Sequence, residues 1–315
     1  MAAEAKTVAM STSLKLLATM ALWGGTFVAG RNLAGVVPPF AAAFWRFVLA
    51  GSLLLLLLRR AEGGLPPLDR RQLGLVFLLG LTGVCLYNAF FFTGLQTVPA
   101  SRAALIIALN PVAIALLAAL VGGEPLHARR SLGVLIAVTG AALVISSGRL
   151  GTLLTGGISL GDLALLGCVV CWALYSVLGR QAMRSLAPLT AVTYSALAGA
   201  LLLMPFGIAQ GALSLPLGYG PAAWGSLLYL AVGGTVIGFI WYYQAIHEIG
   251  TVRAGVFINF VPIFGVLLGF LLLGEPLTPA LLVGGPLVIA GAWLANAGSS
   301  ASRPAPAVGE PEEAG

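Results

Sequence analysis

The feature that most restricts this chain is a succession of apolar runs, each about as long as the 17–25 residues a helix needs to cross a bilayer. Ten can be read: 14–34, 38–58, 73–95, 100–121, 127–146, 160–182, 187–206, 222–245, 252–273 and 279–298. Inside lipid a lone segment can satisfy its own backbone polar groups only as a helix. The pattern therefore predicts an all-α integral membrane protein with ten transmembrane helices. Composition agrees. Of 315 residues, 59% are apolar and 8% charged, against about 45–50% and about 25% in soluble domains.

The same composition excludes several functions. Sixteen Lys and Arg, scattered along the chain, are too few for a nucleic-acid surface. Cys168 and Cys171 form a CxxC, but no second pair and no His accompanies it, so neither a metal nor a redox centre is expected. Cys85, like these two, reads as a small apolar residue in a membrane helix. P-loop, HExxH and GxSxG signatures are absent, so an enzyme is not expected, and no cofactor is called for. The first apolar run lacks a small-x-small cleavage site and reads as the first spanning helix. Residues 299–315 are polar and rich in Ala, Pro and Glu, predicting a disordered cytoplasmic tail.

Lys and Arg collect on the cytoplasmic side of membrane proteins. With the N-terminus inside, twelve fall inside and only Arg31, Arg102 and Arg149 outside, with Arg46 left within a helix. Both termini are then cytoplasmic.

The chain also repeats itself. GEPL occurs at 123–126 and at 274–277, 151 positions apart. "WGGTFVAGR" from Trp23 parallels "WALYSVLGR" from Trp172, and "SRAA" at 101–104 parallels "VRAG" at 252–255. Pro111 matches Pro262, and Gly133 and Gly140 match Gly284 and Gly291, at that same offset of 151. Residues 1–148 and 149–298 are therefore read as two five-helix repeats. Five is odd, so the second enters the membrane inverted, an architecture of secondary transporters that rock around a midplane site. GEPL itself reads as punctuation: Gly ends a helix, Pro opens the next, and Glu accepts backbone N–H groups. Glu124 is expected on the cytoplasmic side and Glu275 outside.

Ten helices in two inverted repeats, an early Trp followed by Gly, an Arg in helix 2 ("FWRFVLAG") and the paired GEPL resemble the EamA-type members of the drug/metabolite transporter superfamily. The resemblance covers residues 14–298. It implies substrate in a central cavity between the halves, with the 3–4 and 8–9 hairpins gating the two sides. Bacterial members include amino-acid and metabolite exporters, so the inner membrane is the expected location.

Candidate site residues follow from polarity at membrane depth. Helices 4 and 9 each carry a mid-helix proline, Pro111 and Pro262, leaving the carbonyls of Ile107 and Ile258 without a donor. Asn110 and Asn259 lie beside them. Substrate binding and simple satisfaction of kinked backbone weigh about evenly there. Arg46, eight residues into helix 2, is either an anion anchor or a brace on carbonyls, with the brace favoured. "LYNAFFF" (86–92) and "GFIWYYQ" (238–244) occupy matching places. Tyr87 with Phe91, and Trp241 with Gln244, each share a helical face that could line the path; an interfacial aromatic belt accounts for most of the others. Trp23 and Trp172 lie too deep for such a belt and are expected to pack or line the cavity, with Tyr175 and Ser176 nearby.

No Asp or Glu falls in the middle of a run. That disfavours proton-coupled antiport of the small multidrug type, and one midplane Arg is few for a sugar-phosphate exchanger. The expected function is export of small metabolites, first of all neutral or zwitterionic amino acids, by alternating access. An exchanger or flippase for phosphorylated or lipid-linked sugars stands second, and a membrane enzyme or scaffold last. The glycines of helices 5 and 10 suit close helix packing, within the chain or in a homodimer.

Overall fold

The computed structural model describes residues 2–122, 128–155, 157–214 and 218–296. The first GEPL, with Glu124, and the tail 299–315 lie outside them. The described residues form long helical runs: α1 (Ala2–Leu33), α2 (Pro39–Glu62), α3 (Arg70–Thr97), α4 (Ala100–Ile107 and Asn110–Gly122) and α5 (Ala128–Ile145), then α6 (Leu160–Ala182), α7 (Pro188–Ala209), α8 (Pro221–Ile249), α9 (Thr251–Phe257 and Phe260–Leu273) and α10 (Pro279–Asn296). Among the described residues eight helices, α2 to α9, are long and apolar enough to cross a membrane. The apolar part of α10, Pro279–Ala295, is shorter, and α1 carries Lys15, Arg31 and a Gly-Gly-Thr stretch.

Local sequence sets the ends of these rods. Asp69 and Ser159 each form a capping box, with Gln72 and Asp162, at the starts of α3 and α6. Prolines 39, 188 and 221 open α2, α7 and α8, where a missing N–H costs nothing. Gly274, the glycine of the second GEPL, ends α9 at φ 64°, a left-handed conformation few side chains tolerate.

The rods alternate in direction, and cross-links locate their ends. At one end, Arg31 at the close of α1 donates to the carbonyls of Leu95 and Gln96 at the close of α3. The start of α2 donates there to Gln210 after α7, through the Phe40 N–H. At the other, Gln72 of α3 donates to the Ser185 carbonyl before α7, and Thr12 of α1 pairs with Glu248 of α8. We name these the α3–α4 end and the α6–α7 end. α1 runs toward the α3–α4 end, and α6 runs away from it.

Packing follows an exchange between the two sets of five. α1 packs on α8 and α9, while α6 packs on α3 and α4. α2 packs on α7, and α5 on α10. The α5–α10 contact explains the repeated glycines. A Cβ on Gly140 would stand 2.7 Å from the Gly284 carbonyl oxygen, and one on Gly291 2.7 Å from that of Gly133. Backbones that close leave no room for a side chain. The glycine faces of helices 5 and 10, considered above for a homodimer, are filled within the chain.

Two features had no counterpart in the sequence reading. Gly80–Leu86 of α3 and Tyr229–Ile237 of α8 are π-helical, an uncommon geometry often found at functional sites. The kinks of α4 and α9 also differ in detail from expectation. The Ile258 carbonyl, freed by Pro262, accepts from the Val261 N–H at 3.0 Å, and the Leu109 N–H bonds Ile106 at 3.1 Å. Short turns at 108–109 and 258–259 thus absorb much of the interruption.

Candidate functional site

A cavity of about 450 Å³ lies between the two sets of helices. Its walls come from α1, α2, α3, α4, α6, α7, α8, α9 and α10. It reaches the surface at Met183 and Pro188, both exposed, beside the α6–α7 turn.

Most of the residues singled out from sequence converge here. Trp23, Arg46, Tyr87, Phe91, Asn110, Pro111, Trp172, Tyr175, Asn259 and Pro262 all line the cavity. Trp241 and Gln244 do not. Gln244 borders a separate apolar groove of about 190 Å³ with Leu54, Leu189 and Ile240. The lining face of α8 is Phe239, Tyr242, Tyr243 and Ile246, which the sequence reading missed. Spacings of three and four were the available signal, and the two candidate faces carry it equally. Thr26, Phe27 and Ser176 also line the wall.

The aromatic side chains form two chains of contact. Phe27, Phe91, Tyr87, Trp172 and Tyr175 touch in sequence, with ring centroids 5.4, 6.1, 5.5 and 5.4 Å apart. Trp23 touches Phe239 and Tyr242 at 5.7 and 5.3 Å. The Trp23 indole N–H donates to the Gly234 carbonyl, 3.0 Å away in the π segment of α8. That close approach requires glycine at 238, where a Cβ would meet the indole nitrogen at 2.5 Å.

Polar groups are few and placed. Arg46 is 8% exposed. Its Nη1 donates to Asn88 Oδ1 at 3.0 Å, and its Nε and Nη2 both donate to Thr235 Oγ1 at 3.3 Å. Those acceptors are themselves fixed by the π segments. The Thr235 hydroxyl donates to Leu230 at 2.9 Å, and the Asn88 amide to Val84 at 2.9 Å. Arg46 is therefore not simply a brace on carbonyls: its recorded partners are side chains of α3 and α8. Asn110 carries a buried Oδ1 without a partner, whereas Asn259 donates to the Val256 carbonyl at 3.1 Å. Among the described residues, no carboxylate lines the cavity.

Beyond Phe91 and Phe27 the α3–α4 end is sealed. Phe91, Phe92 and Leu95 are at most 1% exposed. Glu275 of the second GEPL does not cap the helix that follows it. Its Oε1 accepts from the Ala100 N–H at 2.7 Å, and its Oε2 from the Ser101 N–H and hydroxyl at 2.8 and 2.6 Å. It thereby caps α4, in the other repeat, where the helix dipole favours an anion. Arg102 of α4 makes a two-pronged pair with the fully buried Asp162 of α6, at 2.9 and 2.6 Å.

Comparison with known proteins agrees with this arrangement. The model of the EamA-like transporter family matches twice, over residues 10–146 and 159–297. The uncharacterized transporter YyaM of Bacillus subtilis is 33% identical, over 90% of this chain and 92% of its own. A probable terminal-alkyne amino-acid exporter of Streptantibioticus cattleyicolor is 29% identical over 72% of this chain and 74% of its own. The aromatic amino acid exporter YddG of Ancylobacter novellus is 29% identical over 52% of this chain and 56% of its own. A solved crystal structure at 24% identity superposes with a TM-score of 0.63, over 93% of this chain and 99% of that one, and shares the fold.

Proposed function

Since the chain belongs to the EamA-like transporter family, and is a multi-pass membrane protein, we propose that it exports small metabolites, first among them amino acids, across a bacterial inner membrane. The observation that carries this reading is the cavity: aromatic and amide-lined, open at one end and sealed at the other. Flat aromatic walls with a few fixed polar groups suit a small zwitterion with an apolar side chain. Relatives named as amino-acid exporters support the substrate class.

The full proposal is ten transmembrane helices in two inverted repeats that alternate access. The two family matches, the exchanged packing of α1 and α6, and the paired π segments support it. Lys and Arg gather at the α6–α7 end, including Arg59, Arg70, Arg129 and Arg184, so we place that end and both termini in the cytoplasm. The cavity then faces the compartment from which an exporter loads.

The test is flux in proteoliposomes over a panel of amino acids, with and without a pH gradient, beside survival of expressing cells under toxic amino-acid loads. Saturable flux of at least one amino acid supports the reading. No flux and no resistance across the panel sinks it.

One observation favours a second reading. The apolar groove between α2, α7 and α8 shares Val192, Phe239 and Tyr243 with the cavity wall. A lipid-linked substrate could lay its tail there, so lipid-linked sugars belong in the same panel.

A further inference from the structure

We infer that the substrate carries a single carboxylate, bound by Arg46 through a guanidinium that Asn88 and Thr235 hold in place. This deepens the proposed function and rests on the cavity being the transport site. A guanidinium has five N–H donors and no acceptor. The recorded contacts of Arg46 occupy three: Nε–H, one on Nη1 and one on Nη2. Two remain, and Arg46 lines the cavity. Its recorded partners, Asn88 and Thr235, are both neutral.

A buried cation at membrane depth is costly and ordinarily meets a counter-charge. Among the described residues no carboxylate lines this cavity, and Asp162, buried beside Arg102, is occupied by it. A charge held by two neutral acceptors, in a guanidinium that lines the cavity and keeps two N–H groups beyond those bonds, is arranged for an anion that arrives with the substrate. One guanidinium matches one carboxylate by a two-pronged hydrogen bond. A phosphate dianion would leave a full charge uncompensated in the same wall.

Asn88 and Thr235 are positioning residues. Thr235 spends its own proton on Leu230, and Asn88 its amide on Val84, so each can only accept from Arg46. Both bonds run within, or back into, the π segments, which gives those segments a role: they aim the two acceptors at the guanidinium.

The experiment is equilibrium binding to the purified full chain in nanodiscs, followed by fluorescence of the cavity tryptophans Trp23 and Trp172. The probes are phenylalanine, 3-phenylpropanoate, phenylalaninamide, phenethylamine, phenyl phosphate and chloride. The two carboxylates should bind at least about tenfold tighter than the amide and the amine, the value of one lost charge-assisted hydrogen bond. Arg46→Gln should bring that ratio close to one. Arg46→Lys should recover only part of it. Thr235→Val and Asn88→Leu should weaken the carboxylates more than the amide.

Equal binding of acid and amide by the native chain would overturn the inference, as would phenyl phosphate or chloride displacing both carboxylates, or no carboxylate binding at all. If Arg46→Gln does not fold, the native ligand series and Thr235→Val still decide. Tight 3-phenylpropanoate with no amino-acid binding would refute amino-acid export and leave the anchor standing. Amino-acid flux with equal binding of the amide would do the reverse.

Discussion

The two ends of this bundle are packed differently. At the α3–α4 end one continuous apolar core joins α1, α2, α3, α4, α6, α7 and α8, through residues such as Phe91, Leu95, Ala103 and Leu165. At the α6–α7 end the core divides. Leu75, Leu79, Ala182 and Leu186 group α3 with α6 and α7, while Leu16, Met20, Ala245 and Ala254 group α1 with α8 and α9. The cavity opens beside these two groups, at Met183 and Pro188. The lesson is that closure at one end comes from cross-packing between the exchanged sets of helices, reinforced by the Glu275 cap and the Arg102–Asp162 pair. Under the alternating access proposed above, opening this end would require these contacts to break.

The largest effect should come from the plug. Phe91→Ala removes a ring that is 1% exposed and should cost about 3–5 kcal/mol, read as a lower thermal melting point in detergent. The same substitution at Tyr243, a half-buried cavity residue away from this seal, should cost clearly less stability while still reducing flux. Equal melting losses would erase the distinction between the ends.

Next is Asp162→Ala, which strips the counter-charge from Arg102 and the capping box from α6. Breaking a buried pair by removing one partner costs about 3 kcal/mol or more. Hydrogen exchange should quicken at the starts of α4 and α6 and stay unchanged in α5 and α10. Uniform quickening would mean the pair is not a local seal.

Glu275→Gln should act more gently, by about 1 kcal/mol, since a neutral amide keeps an acceptor but loses the charge at the helix N-terminus. Labelling of a cysteine placed at Val98, a buried residue of this end, should speed up. Unchanged labelling would show that the cap contributes nothing to closure.

The smallest effect should follow Trp241→Leu. Trp241 lies outside the cavity wall, so flux should change by less than about twofold, within the range of ordinary surface substitutions. A large loss would return Trp241 to the transport path.

Much of this was legible in the sequence, because bilayer thickness fixes run length and helix ends carry local signals. The reading of 38–58 against Pro39–Glu62, or 160–182 against Leu160–Ala182, shows as much. The matching glycines 133, 140, 284 and 291 meet because equivalent helices pack on one another. The face of α8 was not legible. Its aromatics lie on more than one face, and its amide, Gln244, borders the outer groove rather than the cavity, so polarity points to the wrong face. The π segment just before it adds residues to the turn, and faces counted at 3.6 residues per turn lose register across it. The partner of Glu275 was hidden for another reason: the cap spans 175 residues, and only the tertiary fold brings α4 beside the end of α9.

The most direct test of a one-ended transport cavity is sided labelling of Ser176→Cys, a cavity residue, in a background with the three buried native cysteines replaced. A membrane-impermeant maleimide should reach it faster from the cytoplasmic face than from the outer face, and a transported amino acid should slow the reaction. Faster labelling from the outer face, or labelling that no transported metabolite slows, would contradict the account.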